Sequence, residues 1–236
     1  MLQMIVPDEA VKYILFQRGH CLRFPGTFSY RVLDRILPFS IYNLVVGIEG
    51  KIFGPSIKSG YKDKMSREYL SIRDSLPKTC SSILDIGCGV AGIDVLLNKH
   101  YEGKPVFCLL DKTKIDRSVF YDCKSRGAFY NSLDTAKEML IQNGISEGSV
   151  HCLEATDANE IDIHRKVDLV ISLISWGFHY PIETYLERVY DILTEGGSLI
   201  LDVRKGTNGI EVLNNKFGRV DVVYDGLAGQ RVLVSK

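Results

Sequence analysis

Short, continuously apolar runs alternate with helix-like stretches from Ser81 to the end of the chain. Five of these runs are too short for helices and are bounded by polar or turn residues: SILDIG (82–87), VFCLLD (106–111), SVHCLEA (149–155), VDLVISLI (167–174) and SLILDVR (198–204). Strands that are apolar along their whole length are typical of a parallel sheet covered on both faces. The pattern therefore predicts an α/β domain built on a parallel, doubly wound sheet.

Two more strand-like runs close the sequence, RVDVVYDG (219–226) and QRVLVSK (230–236). The connection between them is short, which predicts an antiparallel pair. The predicted sheet therefore has seven strands and is mostly parallel, with an antiparallel C-terminal pair.

Apolar residues recur at helical spacing between the strands. The stretch SLDTAKEMLIQNGI (132–145) has Ser132 as its predicted cap. The stretch PIETYLERVYDILTEGG (181–197) begins with Pro181, which suits a first helical turn, and is predicted to end at Gly196.

Two segments depart from this alternation. Residues 1–65 hold helical patches and the very apolar PFSIYNLVVGIEGKIFG (38–54). They are predicted to form a helical cap over the mouth of the sheet domain (66–236), with an ordinary extra core layer as the alternative. The connection 112–131 is long for an α/β fold and contains four aromatic residues. It is predicted to form a loop over a pocket, with a disordered insertion as the alternative.

Composition and charge narrow the functional classes. The 236 residues include 29 basic and 29 acidic side chains, and this balance argues against binding of nucleic acid. Six irregularly spaced cysteines without a CxxC pair argue against a zinc ribbon or a disulfide framework and favour a cytoplasmic location. The first ten residues lack the basic start of a signal peptide. The apolar stretch IYNLVVGI is too short to span a membrane.

A glycine-rich turn follows the first predicted strand. Gly87, Gly89 and Gly92 form a GxGxxG pattern before the helix-like GIDVLLNKH (92–100), which by itself favours a dinucleotide. Glycine is needed where the backbone turns tightly and approaches a ligand without an intervening Cβ atom. Asp85 lies two residues before Gly87, and its carboxylate would repel a pyrophosphate and attract a cation. The alternative is that Asp85 only caps the turn.

The segment LDIGCGVAG (84–92) resembles the first motif of the class I (Rossmann-like) S-adenosylmethionine-dependent methyltransferases. That motif reads acid-x-Gly-x-Gly-x-Gly, and here the third glycine position is occupied by Ala91. The resemblance covers roughly residues 66–236. It continues in three later segments with the order and spacing of the family: ATDA (155–158), SLISWGFHYP (172–181) and ILTEGGSLILDVR (192–204).

The resemblance implies S-adenosyl-L-methionine as the cofactor. Asp111 ends the second strand, where a carboxylate can accept hydrogen bonds from both ribose hydroxyls; the alternative is a plain strand-end acid. The resemblance also implies that Asp157 binds the adenine amino group, with the Ala158 amide nearby, and that Tyr61 contacts the methionine part. Cys88 is interpreted as a small filler between two glycines. The predicted cofactor-binding residues are Asp85, Gly87, Cys88, Gly89, Asp111, Lys112, Asp157, Ala158 and Tyr61.

The methyl acceptor is expected beyond the carboxyl ends of strands four and five, next to the switch in strand order. The segment SWGFHYP (175–181) lies there, and His179 is the candidate general base because its ordinary pKa is near neutrality. Trp176 and Tyr180 are candidate pocket walls, and Arg204 could hold an anionic group of the substrate. Each has a structural alternative. His179 orders the turn, Trp176 and Tyr180 are core residues, or Arg204 is a solvated side chain at a strand end.

These features predict a methyltransferase that acts on a small-molecule acceptor, with a hydroxyl of a sugar, surface-glycan or secondary-metabolite precursor favoured. No metal is expected, because the sequence has no HExxH motif and no suitably placed acidic cluster. An N-methyltransferase of a small amine and a non-catalytic scaffold that binds the cofactor are the alternatives. A nicotinamide-dependent oxidoreductase is the more distant one.

Overall fold

The computed structural model describes residues 4–17, 39–115 and 130–236. Its α-helices are α1 (Ala10–Gln17), α2 (Phe39–Ile72), α3 (Gly92–His100), α4 (Leu133–Gln142), α5 (Leu186–Ile192) and α6 (Gly209–Phe217). Its strands are β1 (Ser82–Ile86), β2 (Val106–Asp111), β3 (Lys114–Ile115), β4 (Tyr130–Asn131), β5 (Val150–Glu154), β6 (Val167–Ser172), β7 (Ser175–Tyr180), β8 (Leu193–Arg204), β9 (Asp221–Asp225) and β10 (Gly229–Ser235).

Seven strands form one sheet in the order β5-β2-β1-β6-β8-β10-β9. The first five in this order are parallel to one another, and β10 is antiparallel to both β8 and β9. The predicted seven-stranded, mostly parallel sheet with an antiparallel C-terminal pair is therefore confirmed. The strand order switches between β1 and β6, which creates a crevice at the carboxyl ends of these strands.

Both faces of the sheet are covered, as the continuously apolar strands predict. Every residue of β1 is buried, and its successive side chains enter two different cores. Ile83 lies in the core shared with α1 to α4, whereas Leu84 lies in the core shared with α5 and α6. The alternation of side chains along a strand thus divides the apolar residues between two helical layers.

The predicted helices differ in how well their bounds agree with the structure. Ser132 caps α4 by accepting a hydrogen bond from the Thr135 amide, as predicted. The predicted helix 181–197 is wrong at both ends, because a 3-10 turn (Ile182–Thr184) precedes α5 and β8 begins at Leu193. Leu193 pairs with Val167 of β6, so strand pairing overrides the helical periodicity there.

The segment SWGFHYP was expected to form a turn before a helix, and it instead forms the strand β7 beside β8. Most of the predicted loop 112–131 lies outside the described residues, which include only its two ends. Those ends pair as β3 and β4.

The N-terminal helices pack against one face of the sheet. Helix α2 runs without a break through position 65, where the cap was predicted to end. Met65 and Ile72 of α2 share a core with Ile83 of β1 and Ile14 of α1. Within the described ranges, no helix is both long and apolar enough to cross a membrane.

Candidate active site

The glycine turn at the end of β1 has a left-handed backbone at three positions. Gly87 and Gly89 have φ angles of 76° and 57°, and Ala91 has a φ angle of 56°. The Gly87 amide donates a hydrogen bond to the Leu110 carbonyl of β2 at 2.7 Å, which fixes the turn to the neighbouring strand. Ala91, at the position of the third glycine in the family motif, therefore keeps the backbone that a glycine would adopt there.

Three side chains pack so closely against the glycines that a Cβ atom would clash with them. A Cβ atom at Gly87 would lie 1.8 Å from the Ser175 hydroxyl, and one at Gly92 would lie 2.2 Å from the Tyr61 hydroxyl. A Cβ atom at Gly89 would lie 2.7 Å from Oε1 of Gln17, the last residue of α1. The N-terminal helices therefore reach the glycine turn, and the predicted Tyr61 lies on it.

Two buried carboxyl groups, Asp85 of β1 and Asp94 of α3, interact beneath this turn. Asp85 is 3% exposed and Asp94 is 0% exposed, and neither Asp94 oxygen has a hydrogen-bond donor among the described residues. Burial raises the pKa of both carboxyl groups, and the charges of Asp94 and Asp111 raise the pKa of Asp85 further. Two adjacent buried carboxyl groups are most stable when they share one proton, or when a cation binds beside them.

Asp111 lies at the carboxyl end of β2, next to the glycine turn. Its Oδ1 accepts a hydrogen bond from the Lys112 amide at 2.7 Å, and its Oδ2 accepts one from the Gly89 amide at 2.8 Å. Burial nevertheless raises the pKa of Asp111 to about 6, and these hydrogen bonds oppose that rise. The carboxylate is thus held in a fixed orientation at the mouth of the crevice.

Asn131, the last residue of β4, is a further member of the site that the sequence did not indicate. Its amide group donates to Oδ2 of Asp111 at 3.0 Å and to the Gly89 carbonyl at 2.6 Å, and it accepts from Gln17 at 3.3 Å. Asn131 is 3% exposed, so it is buried just before the chain enters α4. A single asparagine in a polar loop carries no sequence pattern that would have identified it.

The predicted adenine-side residues lie at the ends of the adjacent strands β2 and β5. The Lys112 ammonium group pairs with the Asp157 carboxylate at 2.7 Å, although the Asp157 side chain is 97% exposed. Ala158 is also exposed. Cys88, between the glycines, is buried, and burial together with nearby carboxylates holds the pKa of its thiol well above the usual range. Such a thiol is a filler rather than a nucleophile.

The acceptor-side residues are divided between core and surface. Trp176 is fully buried and its indole N–H donates to the Ile182 carbonyl at 2.9 Å, which places it in the core, the alternative given for it above. Tyr180 lines a cavity of about 400 Å³ beside the loop that follows β8. The other residues that line this cavity are Gly177, Pro181, Ile182, Glu183, Thr207, Asn208 and Gly209.

His179 is half-buried, and its Nδ1 atom has no hydrogen-bond partner among the described residues. Burial and the nearby charge of Arg204 lower the pKa of His179, so the imidazole is neutral near pH 7. Arg204 lies over the Phe178 ring at 5.4 Å. His179 is four residues along β7 from Ser175, a separation of about 13 Å in extended chain, so it does not lie at the glycine turn itself.

No protein-family model matches this chain, and no curated protein sequence matches it. Solved structures do match. A Nostoc punctiforme protein assigned as an O-methyltransferase is 14% identical, with 96% of this chain and 72% of that chain covered and a TM-score of 0.55. The O-methyltransferase region of StiE (residues 961–1257) is also 14% identical, with 72% and 58% covered and a TM-score of 0.50.

Precorrin-6y C5,15-methyltransferase from Geobacter metallireducens is 15% identical over 71% of this chain and 85% of that chain, with a TM-score of 0.49. At these identities the likeness to the Nostoc and StiE structures, with TM-scores of 0.55 and 0.50, shows the fold alone. This is the Rossmann-like fold of the class I methyltransferases, and it confirms the fold that the sequence predicts. This chain spans only part of the StiE region.

Proposed function

We propose that this chain, which has the fold of the class I methyltransferases, binds S-adenosyl-L-methionine and transfers its methyl group to a small-molecule acceptor. The observation that carries the proposal is the buried pair Asp85 and Asp94 beneath the glycine turn. A pyrophosphate beside this pair would add negative charge to a buried acidic site, whereas an ammonium or sulfonium group would offset the charge of the pair. The chemistry of the pair therefore fits this cofactor better than a nicotinamide dinucleotide.

The residues that would hold the cofactor are those that surround the turn. Asp85 would face the α-ammonium group, and the Asp111 carboxylate would accept hydrogen bonds from the ribose hydroxyls. Lys112, Asp157 and Ala158 would border the adenine. When bound, the cofactor supplies a methyl group activated by the sulfonium. The protein then has to align the acceptor, exclude water and, for a hydroxyl acceptor, take up a proton.

A hydroxyl acceptor in the cavity beside Tyr180 is the favoured substrate. The cavity combines an aromatic ring with the side chains of Glu183, Thr207 and Asn208, a set that suits a sugar or another polyhydroxylated compound. Its carboxylate, Glu183, also favours a small amine as the second candidate acceptor. His179, with its lowered pKa, is proposed as the base that receives the proton from a hydroxyl acceptor.

Calorimetric titration of the purified protein with S-adenosyl-L-homocysteine and with NADH tests the cofactor. We expect binding of the homocysteine compound and no binding of NADH. A panel of hydroxylated compounds and small amines, followed by mass spectrometry for a gain of one methyl group, then tests the acceptor. Binding of NADH alone would refute the proposed function. Cofactor binding without methylation of any hydroxylated compound or amine in the panel would favour the alternative of a non-catalytic scaffold that binds the cofactor.

A further inference from the structure

A strained turn lies between β6 and β7, beside the glycine turn. Its central residue, Ile174, has a left-handed φ angle of 57°, and it is an isoleucine rather than a glycine. For a β-branched side chain this backbone conformation is an outlier, because the side chain crowds the neighbouring carbonyl groups. We refer to Leu173–Ser175 as the strained turn. Such strain persists only where the surrounding structure imposes it, and it concentrates at functional sites.

Hydrogen bonds from two other strands impose this conformation. The Ile174 amide donates to Oδ2 of Asp202, a residue of β8, at 3.0 Å. The Ser172 hydroxyl donates to the Ile86 carbonyl of β1 at 2.7 Å and accepts from the Trp176 amide at 3.0 Å. The backbone on both sides of the strained turn is therefore fixed to the strands that flank β6.

Asp202 is in turn held by a buried guanidinium group. Arg231 of β10 donates from Nε to Oδ1 of Asp202 at 2.7 Å and from Nη2 to Oδ2 at 2.8 Å. The same guanidinium group contacts Glu68 and Ser71 of α2, each at 2.6 Å. Arg231 is 5% exposed and Asp202 is 7% exposed. A bidentate, buried pair with additional partners has little freedom to rotate, so Asp202 is a rigid acceptor for the Ile174 amide.

The strained turn places the Ser175 hydroxyl against the glycine turn. A Cβ atom at Gly87 would lie 1.8 Å from this hydroxyl and 2.4 Å from the Ser175 Cβ atom. Gly87 is two residues from Asp85, which the proposed function assigns to the α-ammonium group. The Ser175 hydroxyl therefore lies beside the proposed site for the amino-acid end of the cofactor, not at the adenine end marked by Asp111 and Asp157.

We infer that the strained turn is a positioning element, which Arg231 maintains through Asp202, and that it directs the Ser175 hydroxyl to the amino-acid end of the cofactor. The inference rests on the proposed function, since it takes the glycine turn as the cofactor site. Ser175 is the contacting residue. Ile174, Asp202 and Arg231 act through its position.

The first test relieves the strain. Ile174→Gly should raise the melting temperature by about 3 °C, because glycine adopts the left-handed conformation without crowding. It should also weaken binding of S-adenosyl-L-homocysteine about tenfold, because glycine also gives the turn access to other backbone conformations, in which Ser175 leaves its place. Glu102→Gly is the matched control, since Glu102 has a φ angle of 58° and is exposed at the far end of α3. It should raise the melting temperature and leave binding unchanged.

The second test loosens the same turn from its other side. Asp202→Asn should lower the melting temperature, because Arg231 loses its bidentate carboxylate, and should again weaken binding of S-adenosyl-L-homocysteine about tenfold. Arg231→Lys provides a milder version if Asp202→Asn does not fold. Ile174→Gly and Asp202→Asn thus change stability in opposite directions and affinity in the same direction, which a general structural role cannot produce.

A truncated ligand locates the contact. Ser175→Ala should weaken S-adenosyl-L-homocysteine about fivefold, as expected for one lost hydrogen bond, and should leave 5′-methylthioadenosine unaffected because that compound has no amino-acid end. Equal weakening of both ligands, or full affinity in Ile174→Gly, would overturn the inference and leave the proposed function standing. Failure of the unaltered protein to bind S-adenosyl-L-homocysteine would overturn both.

Discussion

Two clusters of acidic side chains, each with one aspartate on a strand of the sheet and one acid on a helix, differ in how their charge is balanced. Asp202 and Glu68 share the guanidinium group of Arg231, at 2.7 Å and 2.6 Å. Among the described residues, no lysine or arginine forms an ion pair or hydrogen bond with the other group, Asp85 and Asp94. The carboxylates of the first group therefore have a cationic partner within the chain. Within the described ranges the second has no cationic partner, and the proposed function assigns a cationic ligand to it.

The largest expected effect on stability comes from removing the cation of the first group, Arg231. Arg231→Met should destabilise the protein by about 3–5 kcal/mol, because two buried carboxylates lose their cation. Denaturant unfolding monitored by circular dichroism measures this. Arg219→Met is the matched control, since Arg219 pairs with Asp221 on the surface with an 81% exposed side chain. It should change stability by less than about 1 kcal/mol. Equal losses in the two variants would show that the Arg231 group is no more than a surface pair.

Removing a carboxylate from the second group should have the opposite effect on stability. Asp85→Asn should stabilise the ligand-free protein, because it removes one of two adjacent buried carboxyl groups that oppose each other's ionisation. It should weaken binding of S-adenosyl-L-homocysteine at least tenfold, about 1.4 kcal/mol. Thermal unfolding and calorimetry measure the two effects. Asp74→Asn, at an exposed position after α2, is the control and should change neither. Unchanged affinity in Asp85→Asn would remove the main support for a cationic ligand.

The pH dependence of binding sharpens the comparison further. The pKa of Asp111 is about 6 in the folded protein, above its ordinary value of 3.8, because of burial. The ligand-free protein therefore loses stability as the pH rises from about 4 to about 6, since the folded state binds the proton more tightly than the unfolded state. In the proposed function the ionised form of Asp111 binds the ribose, so affinity for S-adenosyl-L-homocysteine should fall about tenfold from pH 7 to pH 5.

Titrations at several pH values test this dependence, and 5′-methylthioadenosine separates the two groups of carboxylates. This ligand keeps the ribose and should retain the dependence due to Asp111. It should lose any further dependence due to Asp85 and Asp94. A flat profile for both ligands would show that Asp111 does not contact the ribose.

The smallest effect on cofactor binding is expected at His179. His179→Ala should leave the affinity for S-adenosyl-L-homocysteine unchanged, because His179 is about 13 Å along β7 from Ser175. With a hydroxyl acceptor it should lower turnover at least a hundredfold if His179 is the base. Single-turnover kinetics with His179→Gln as a second variant measures this. Full turnover in both variants would exclude His179 as the base.

The sequence predicted the fold well because the parallel strands are buried on both faces, and this burial leaves uninterrupted apolar runs. The sequence also assigned Tyr61 and Asp111 to the cofactor site, and the structure places both beside the glycines at the end of β1. It misplaced the start of β8, because Leu193–Glu195 continue a helical period while their backbone pairs as a strand. The local spacing of apolar residues does not show that pairing with a distant strand overrides the helical pattern here.

The residues that sequence reasoning missed have in common that their partners are distant in the chain. Gln17 and Asn131 meet over Gly89, and Arg231 meets Glu68 from 163 positions away. Asp94 has a weak local signal, an acid in the first turn of an apolar helix. Ile174 has none, because its backbone conformation is imposed by Asp202 and no local pattern marks it.

The position of β10 has a consequence for biosynthesis. This strand is made after β9, yet it inserts between β8 and β9. A nascent chain that has released β8 but not β10 exposes Asp202 without its countercharge and leaves the edge of β8 unpaired. Deletion of residues 229–236 would therefore disable a pocket whose glycines were translated more than a hundred residues earlier.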